Sequence, residues 1–133
     1  MLISTVLWLY FLAVACSPHP KPIVCGAEQM DVYLPLILDK HIALVANHTS
    51  LVAGTHLVDT LISGGLEKDQ LRKVFAPEHG FRGDRAAGAQ VTDGKDPITG
   101  ISIVSLYGSN RKPRAEDLKG VDLVLFDLQD VGA

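Results

Sequence analysis

The sequence has few cysteines, no excess of either charge and only one long apolar segment, and each shortage excludes a class of protein. Two cysteines among 133 residues, without Cys-x-x-Cys or Cys/His ligand spacing, argue against a structural zinc site. Twelve basic and fifteen acidic side chains give a formal net charge of −3 and form no runs, so the sequence does not indicate nucleic-acid binding. Composition excludes collagen, coiled coil and intrinsic disorder. The lack of a second long apolar segment excludes a multi-span membrane protein.

Three motifs that would identify common activities are also missing. No G-x-G-x-x-G follows the first predicted strand and no P-loop is present, so binding of a dinucleotide or a nucleoside triphosphate has no support. The G-x-S-x-G turn that carries the nucleophile of many α/β hydrolases is absent.

The one long apolar segment lies at the N-terminus and predicts an export signal over residues 1–15. It is too short to span a bilayer and ends in the small residues 13–15, which are typical of a cleavage site. Cys16 follows directly, as in bacterial lipoprotein signals, and is the candidate lipidation site. Ordinary cleavage is the alternative, in which case Cys16 could pair with Cys25. Residues 16–25 form a Pro-rich tether. We expect an exported protein, either periplasmic or a membrane-anchored lipoprotein of a bacterium.

Residues 26–133 alternate between strand and helix patterns, which predicts an α/β fold. Continuous apolar runs indicate buried strands, and helical spacing or short polar segments indicate helices between them. The predicted strands are 42–46, 73–76, 101–106 and 121–126, and the predicted helices are 27–38 (bent or split by Pro35), 55–63 and 113–118. This order predicts a Rossmann-like, mainly parallel sheet with flanking helices. Because little chain follows the last apolar strand to cover it, we expect an incomplete domain.

Polar side chains follow each predicted strand, at the edge of a parallel sheet where ligands bind. The four groups are 47–50, 77–84, 107–112 and 127–130. The second carries Glu78 and His79 between a proline and a glycine, a pair that contributes nothing to packing and suits general acid–base chemistry. Asn47 and Asp127 have a plainer interpretation as turn or cap residues. Asp59, within the second predicted helix, is expected on the surface.

The same segments resemble the N-terminal part of the exo-β-N-acetylmuramidase family, formerly catalogued as a domain of unknown function. The resemblance rests on the motifs at 26–29, 47–50, 75–83, 105–108 and 126–133, in this order. It implies a bacterial cell-wall recycling enzyme that needs no cofactor and releases N-acetylmuramic acid from the non-reducing end of peptidoglycan-derived glycans. It also implies that Glu78 is the catalytic acid, with His79 beside it. Relatives more often have glutamine at position 48, so His48 receives no role.

The chemistry of glycosidic cleavage fits these residues. An acid must protonate the leaving oxygen, and a second group must stabilise or attack the oxocarbenium-like centre. Glu78 is the predicted acid, and the second group is left open between Asp127, Asp130, a carboxylate elsewhere and the substrate's own N-acetyl group. Asn47, Arg82 and Gln129 are predicted to bind sugar hydroxyls or the lactyl carboxylate, with Asp127 also at the substrate.

Two other functions remain open from the sequence. One is a non-catalytic lipoprotein that binds cell-wall sugar in the same crevice, or an inactive truncated fragment. The other is a metal-assisted hydrolase that uses His79 and the aspartates, although a single histidine without a spaced partner gives no predicted metal site. The predicted partners are peptidoglycan fragments and, through a lipid anchor, the membrane.

Overall fold

The structure of the chain is a computed structural model that describes residues 22–77, 80–83 and 93–129. The predictions made for residues 1–15, Cys16, Glu78, His79 and Asp130 lie outside the described residues. In the part of the chain that is described, no helix is both long enough and apolar enough to cross a membrane.

A five-stranded, mainly parallel sheet forms the centre of the fold. Its spatial order is β5-β6-β4-β1-β7, and a separate two-stranded hairpin is formed by β2 and β3. The strands are β1 (Ile42–Ala46), β2 (Leu51–Val52), β3 (Thr55–His56), β4 (Leu71–Ala76), β5 (Gly94–Lys95), β6 (Ser102–Ser105) and β7 (Leu123–Asp127). Strand β1 pairs in parallel with β4 on one side and with β7 on the other, and β4 pairs in parallel with β6. The order of these four strands is the 3-2-1-4 order of a Rossmann sheet, which confirms the predicted α/β class.

Strand β1 is an interior strand, paired on both sides, because its apolar run has no polar side chain to place in water. All five of its side chains are at most 7% exposed. Residues on one face, Ile42 and Leu44 among them, pack with Leu57 and Leu61 of the helix that follows the hairpin. The opposite face of β1 contributes Ala43 and Val45, which pack with Phe75 of β4 in a second cluster.

The first predicted helix is interrupted at Gln29 and not at Pro35. A 3₁₀ turn, Gly26–Glu28, precedes helix α1, Met30–Ile37, and Gln29 between them has a non-helical ψ of 51°. Glu28 closes the 3₁₀ turn by accepting a hydrogen bond from the Cys25 backbone N–H at 2.9 Å. Pro35 lies within α1, two residues before its end, where the backbone hydrogen bond lost to its ring affects only the last turn.

The second predicted helix begins two residues later than expected. Helix α2 is Leu57–Ser63, because Thr55 and His56 pair with Leu51–Val52 in the β2–β3 hairpin. The turn of this hairpin has positive φ at both central residues, 49° at Ala53 and 82° at Gly54. That geometry matches the twist of an antiparallel pair and favours a short hairpin over a longer helix.

Two other elements differ from the prediction, whereas the last strand agrees with it. Strand β5 was not predicted, and it pairs antiparallel with β6 at one edge of the sheet. The helix predicted over 113–118 is a 3₁₀ turn, Ala115–Leu118. Strand β7 is apolar and only partly covered, both as expected, since Phe126 is 72% exposed and Val124 44% exposed. Within the described residues β7 pairs only with β1, so it is an edge strand.

Candidate functional site

The candidate site lies where the strand order reverses, between the carboxyl ends of β1 and β7. Crevices at this point of an open parallel sheet are where α/β proteins bind ligands. A cavity of about 330 Å³ opens here. Its walls come from the first 3₁₀ turn, α1, the hairpin, α2 and the end of β7; the lining residues are Cys25, Gly26, Ala27, Glu28, Tyr33, Leu51, Leu57, Leu125, Phe126, Asp127 and Gln129.

Asn47, the first residue after β1, joins the two strand ends. Its Oδ1 accepts hydrogen bonds from the backbone N–H of Thr49 at 3.0 Å and from the Thr49 hydroxyl at 2.6 Å, which forms a tight turn. Its Nδ2 donates to the backbone carbonyl of Gln129 at 3.3 Å. Asn47 is only 8% exposed. The turn interpretation is therefore correct for Asn47, and its predicted contact with substrate stays a prediction.

Ser50 is a buried residue of the site to which the sequence analysis assigned no role. Its hydroxyl donates to the backbone carbonyl of Asp127 at 2.5 Å and accepts from the Asn47 backbone N–H at 3.1 Å. These two bonds hold the end of β7 against the turn that follows β1. The available signal was its position at the end of the 47–50 motif, where a small hydroxyl residue follows a strand.

Asp127 places a carboxylate at the cavity. Its Oδ2 is buried and has no hydrogen-bond partner among the described residues. The nearby Tyr33 hydroxyl donates to the Ala27 carbonyl at 2.9 Å. Burial, and then the charge of Asp127, raise the pKa of Tyr33, so the phenol stays neutral beside the carboxylate. Gln129 lines the same cavity and is exposed.

Arg82 was predicted to bind a substrate carboxylate, but in this structure it binds two carboxylates of the protein. Its Nε and Nη2 donate to Asp96 at 2.8 Å each, and its Nη1 and Nη2 donate to Asp59 at 2.8 and 2.9 Å. The hydrogen bonds to Asp59 and Asp96 raise the pKa of Arg82, whose side chain is 17% exposed. Both edges of the guanidinium are occupied, so the geometry indicates a structural role, and the substrate contact stays a prediction.

The two aspartates that bind Arg82 come from different elements. Asp59 lies on α2 and Asp96 follows β5, so the expectation that Asp59 is a plain surface residue was wrong. The side chain of Asp96 is fully buried. Although burial by itself raises the pKa of a carboxyl group, hydrogen bonds from Arg82 and Thr99 lower the pKa of Asp96 to about 2. The clue in the sequence was the Asp-Pro-x-x-Gly turn, in which an aspartate accepts from a later backbone N–H.

The segment after β4 is held from both sides of the Glu78–His79 pair. The Gly80 N–H donates to the Pro77 carbonyl at 3.2 Å, which joins the two residues that flank the pair. Phe81 is buried, and the Arg82 guanidinium lies 4.9 Å from the centre of the Phe81 ring. Gly83 has a φ of +72°, and a Cβ there would lie 2.9 Å from the Cβ of His48, so a side chain would force the two segments apart. The roles of Glu78 and His79 stay predictions.

The described residues offer no ready metal centre. No group of three or more His, Cys, Asp or Glu side chains that could hold an ion occurs in the ranges 22–77, 80–83 and 93–129. His79, on which the metal hypothesis depends, is outside these ranges.

Comparisons with known proteins agree on one family. A family model described as the N-terminal part of exo-β-N-acetylmuramidase NamZ matches residues 42–133. The chain is 42% identical over 104 residues to the peptidoglycan β-N-acetylmuramidase NamZ of Bacillus subtilis (strain 168), a match that covers 75% of this chain and 24% of that protein.

Two solved structures, both of DUF1343 family proteins from Bacteroides fragilis NCTC 9343, share the fold. One is 37% identical with a TM-score of 0.63, and the other is 32% identical with a TM-score of 0.66. Each match covers 80% of this chain and 26% of the solved chain. The chain thus spans about a quarter of the length of these relatives.

Proposed function

Because the chain belongs to the exo-β-N-acetylmuramidase NamZ family, we propose that it acts in releasing N-acetylmuramic acid from the non-reducing end of peptidoglycan-derived glycans. The observation that carries the proposal is the match over residues 42–133, which includes all four groups of polar residues at the strand ends. Glu78, in the second group, is the proposed general acid, and His79 is proposed to act beside it.

The chemistry needs a proton donor at the glycosidic oxygen. A glutamate at the end of a buried strand can serve because an apolar environment keeps part of its population protonated near neutral pH. The preceding residues of this strand, Phe75 and Ala76, are fully buried. Glu78 would give its proton to the departing oxygen as the bond to the anomeric carbon of N-acetylmuramic acid breaks, and water would complete the hydrolysis.

The cavity at the β1–β7 crevice is the proposed sugar subsite. A pyranose has many hydroxyl donors, and Asp127 has a buried carboxylate oxygen without a partner among the described residues. A buried acceptor left unpaired costs free energy, so a donor that reaches it gains more than an ordinary hydrogen bond. The side chain of Gln129 and the second N–H of the Asn47 amide, beside the one that donates to Gln129, are proposed to bind further hydroxyls.

Hydrolysis of a chromogenic β-N-acetylmuramide by the chain from residue 17 onward tests the proposed acid. Wild type, Glu78→Gln and the matched control Glu67→Gln are compared, since Glu67 is an exposed residue outside the crevice. We expect Glu78→Gln to lower kcat by at least about 100-fold, the usual contribution of a general acid, and Glu67→Gln to leave it unchanged. Equal rates in wild type and Glu78→Gln would show that Glu78 is not the acid.

Binding of N-acetylmuramic acid, measured by calorimetry on the same proteins, separates an enzyme from a sugar-binding protein. A binder without hydrolytic activity would hold the sugar with the same affinity in wild type and Glu78→Gln and release no chromophore. That function is kept as the second candidate because the chain spans only about a quarter of the length of its relatives. A wild-type chain that neither hydrolyses the muramide nor binds N-acetylmuramic acid would contradict the proposed function.

Asp127→Asn tests the subsite. The substitution keeps the shape of the side chain but replaces one acceptor oxygen by a donor, so a sugar hydroxyl would lose its partner. We expect affinity for N-acetylmuramic acid to fall about tenfold, equivalent to about 1.4 kcal/mol. Asp31→Asn, at an exposed position in the first turn of α1, is the control. Unchanged affinity in Asp127→Asn would remove this carboxylate from the subsite.

The predicted export and lipid anchor are part of the same proposal, because the substrate is a cell-wall glycan. We propose that Cys16 is acylated and becomes the first residue of the mature protein, which leaves the protein on the membrane facing the wall. Incorporation of labelled palmitate in a bacterial host tests this, with Cys16→Ser expected to lose the label and Cys25→Ser to keep it. If neither the wild type nor Cys25→Ser takes up the label, and the chain is secreted in a shortened form, the signal is removed by ordinary cleavage without acylation.

A further inference from the structure

His56 is a buried histidine at the junction of three elements, and the proposed reaction gives it no role. It is the last residue of β3 and the residue that caps the start of α2, and it is 8% exposed. The side chains around it include the Phe81 ring, which meets the imidazole edge to face at 5.1 Å with an interplanar angle of 82°.

The hydrogen bonds of His56 fix which ring nitrogen carries the proton. Nδ1 lies 3.2 Å from the backbone N–H of Val58 and accepts from it, so Nδ1 has no hydrogen of its own. Nε2 therefore carries the hydrogen, and it lies 3.0 Å from the Asn47 carbonyl and 2.9 Å from the Phe81 carbonyl. One N–H is thus shared between two acceptors. In a doubly protonated ring, Nδ1 would carry a hydrogen that points at the Val58 N–H, so the hydrogen bond that caps α2 would be lost.

The two carbonyls belong to the two polar segments of the candidate site. Asn47 follows β1 and Phe81 lies two residues after His79, on the segment that follows β4. The β1–β4 ladder ends at the pair Val45 and Phe75. Beyond that point, His56 Nε2 links the two segments by its contacts with both carbonyls. Phe81 is 25 residues away from His56 in the sequence.

The burial of His56 favours the neutral ring. Burial, the largest effect, lowers the pKa of His56, and the charge of Arg82 lowers it further. The two carbonyl hydrogen bonds and the charge of Asp59 act in the opposite direction and only partly offset the burial. The imidazole therefore stays a fixed single donor near neutral pH and is not a proton carrier for the reaction.

We propose that His56 is a positioning residue: its Nε2–H holds the segment after β1 and the segment after β4 in one arrangement, and so fixes Phe81, in the segment that follows the proposed catalytic pair, against the turn at Asn47. The effect of His56 on catalysis rests on the proposed function. The linkage of the two segments by His56 does not, and it can be measured without any sugar.

Two amide variants separate the two ends of the ring. The amide of Asn reaches about as far as Nδ1, so His56→Asn keeps an acceptor for the Val58 N–H and loses the donor to the carbonyls. The amide of Gln reaches about as far as Nε2, so His56→Gln keeps the donor and loses the cap. Each variant therefore keeps one hydrogen bond of the histidine and loses the other. General destabilisation would affect the segment after β4 and the start of α2 alike in both variants, so it cannot explain opposite results at these two places.

Amide hydrogen exchange of the chain from residue 17 onward tests the linkage directly. We expect His56→Asn to speed exchange of the Gly80 N–H at least tenfold, and His56→Gln to leave it within about threefold of wild type, while Leu44 in β1 serves as the internal reference. The Val58 N–H should show the reverse order. Equal Gly80 exchange in wild type and His56→Asn, or equal acceleration in both variants, would overturn the proposal.

Turnover and sugar binding then test the consequence. With a chromogenic β-N-acetylmuramide, His56→Asn should lower kcat at least tenfold, and His56→Gln should recover most of it. Failure of the wild type to bind or hydrolyse would count against the proposed function alone, since the Gly80 result decides the linkage. A Gly80 effect accompanied by unchanged kcat in His56→Asn would show that His56 does not act on the reaction.

Discussion

Arg82 forms four hydrogen bonds to two aspartates of the protein, and this group has a consequence at acidic pH. Asp96 has a pKa of about 2 in the folded protein, against an ordinary value of 3.8. The folded state therefore binds protons less readily than the unfolded state between these values. The stability that Asp96 contributes is complete above about pH 4 and is lost as the pH falls towards 2.

The acid dependence gives a prediction for Asp96→Asn. A shift of this size corresponds to about 2 kcal/mol, so we expect the free energy of unfolding of the wild type to fall by about that amount from pH 4.5 to 2. In Asp96→Asn, which cannot ionise, stability should already be lower at pH 7 and should fall less over the same range. Urea unfolding at several pH values measures both.

Asp69→Asn is the matched control for this prediction. Asp69 is exposed in the connection between α2 and β4, so its removal should leave the wild-type pH dependence intact. A wild-type curve parallel to that of Asp96→Asn would contradict a special role for the buried carboxylate.

The roles of Arg82 and His56 could not be predicted from sequence because their partners are distant along the chain. Arg82 binds aspartates 14 and 23 residues away, and His56 reaches a carbonyl 25 residues away. An arginine near a predicted active site is equally suited to a substrate carboxylate and to an aspartate of the protein. Only the packing of α2 against the segment after β4 decides between them. By contrast, the turn role of Asn47 is local and was predictable.

At the level of elements, the β2–β3 hairpin depends on backbone conformation more than on side chains. Gly54 has a φ of +82°, which costs little for glycine and roughly 1 kcal/mol for a residue with a Cβ. A Cβ at this position would meet no atom within 4 Å, so strain is the sole penalty. Since the hairpin presents His56 to the site, this turn also matters for the candidate function.

Gly54→Ala is therefore predicted to destabilise the protein by about 1 kcal/mol. Gly94→Ala is the matched control, because a Cβ on Gly94 also meets no atom within 4 Å and its φ lies outside the positive region. Thermal unfolding of both variants beside the wild type measures the difference. If Gly94→Ala lowers the melting temperature as much as Gly54→Ala, backbone strain at the hairpin is not the cause.

The strands show how far apolar patterns predict a fold. The four parallel strands were predicted within one or two residues, because each contains a short apolar segment bounded by turn or loop residues. The two-residue strands β2, β3 and β5 were missed, since a pair of residues has no periodicity. The start of α2 was misplaced for the same reason: the chain at Thr55 and His56 satisfies its backbone in the hairpin instead of the helix.

For the whole molecule, the two sides of the sheet are unevenly covered, and this affects whether copies of the chain associate. Strand β1 is buried on both faces, whereas β7 has an open edge within the described residues and exposes Val124 and Phe126. Helix α1 adds Val32 and Leu36, which are 64% and 68% exposed. Exposed apolar side chains on an unpaired strand edge favour association with other chains. We therefore expect copies of this chain to associate through these exposed side chains.

Val124→Lys is predicted to reduce self-association of the chain. Lysine on an edge strand introduces a charge that two copies cannot bury together, and Val124 is 44% exposed, so the folded state loses little. Ile98→Lys, at a position 67% exposed in the turn between β5 and β6, is the control for added charge. In light scattering over a concentration series, the average molecular mass of Val124→Lys should stay below that of the wild type, while the average mass of Ile98→Lys should equal that of the wild type. An equal reduction by both variants would assign the effect to net charge, and no reduction by either would show that β7 is not the surface through which copies associate.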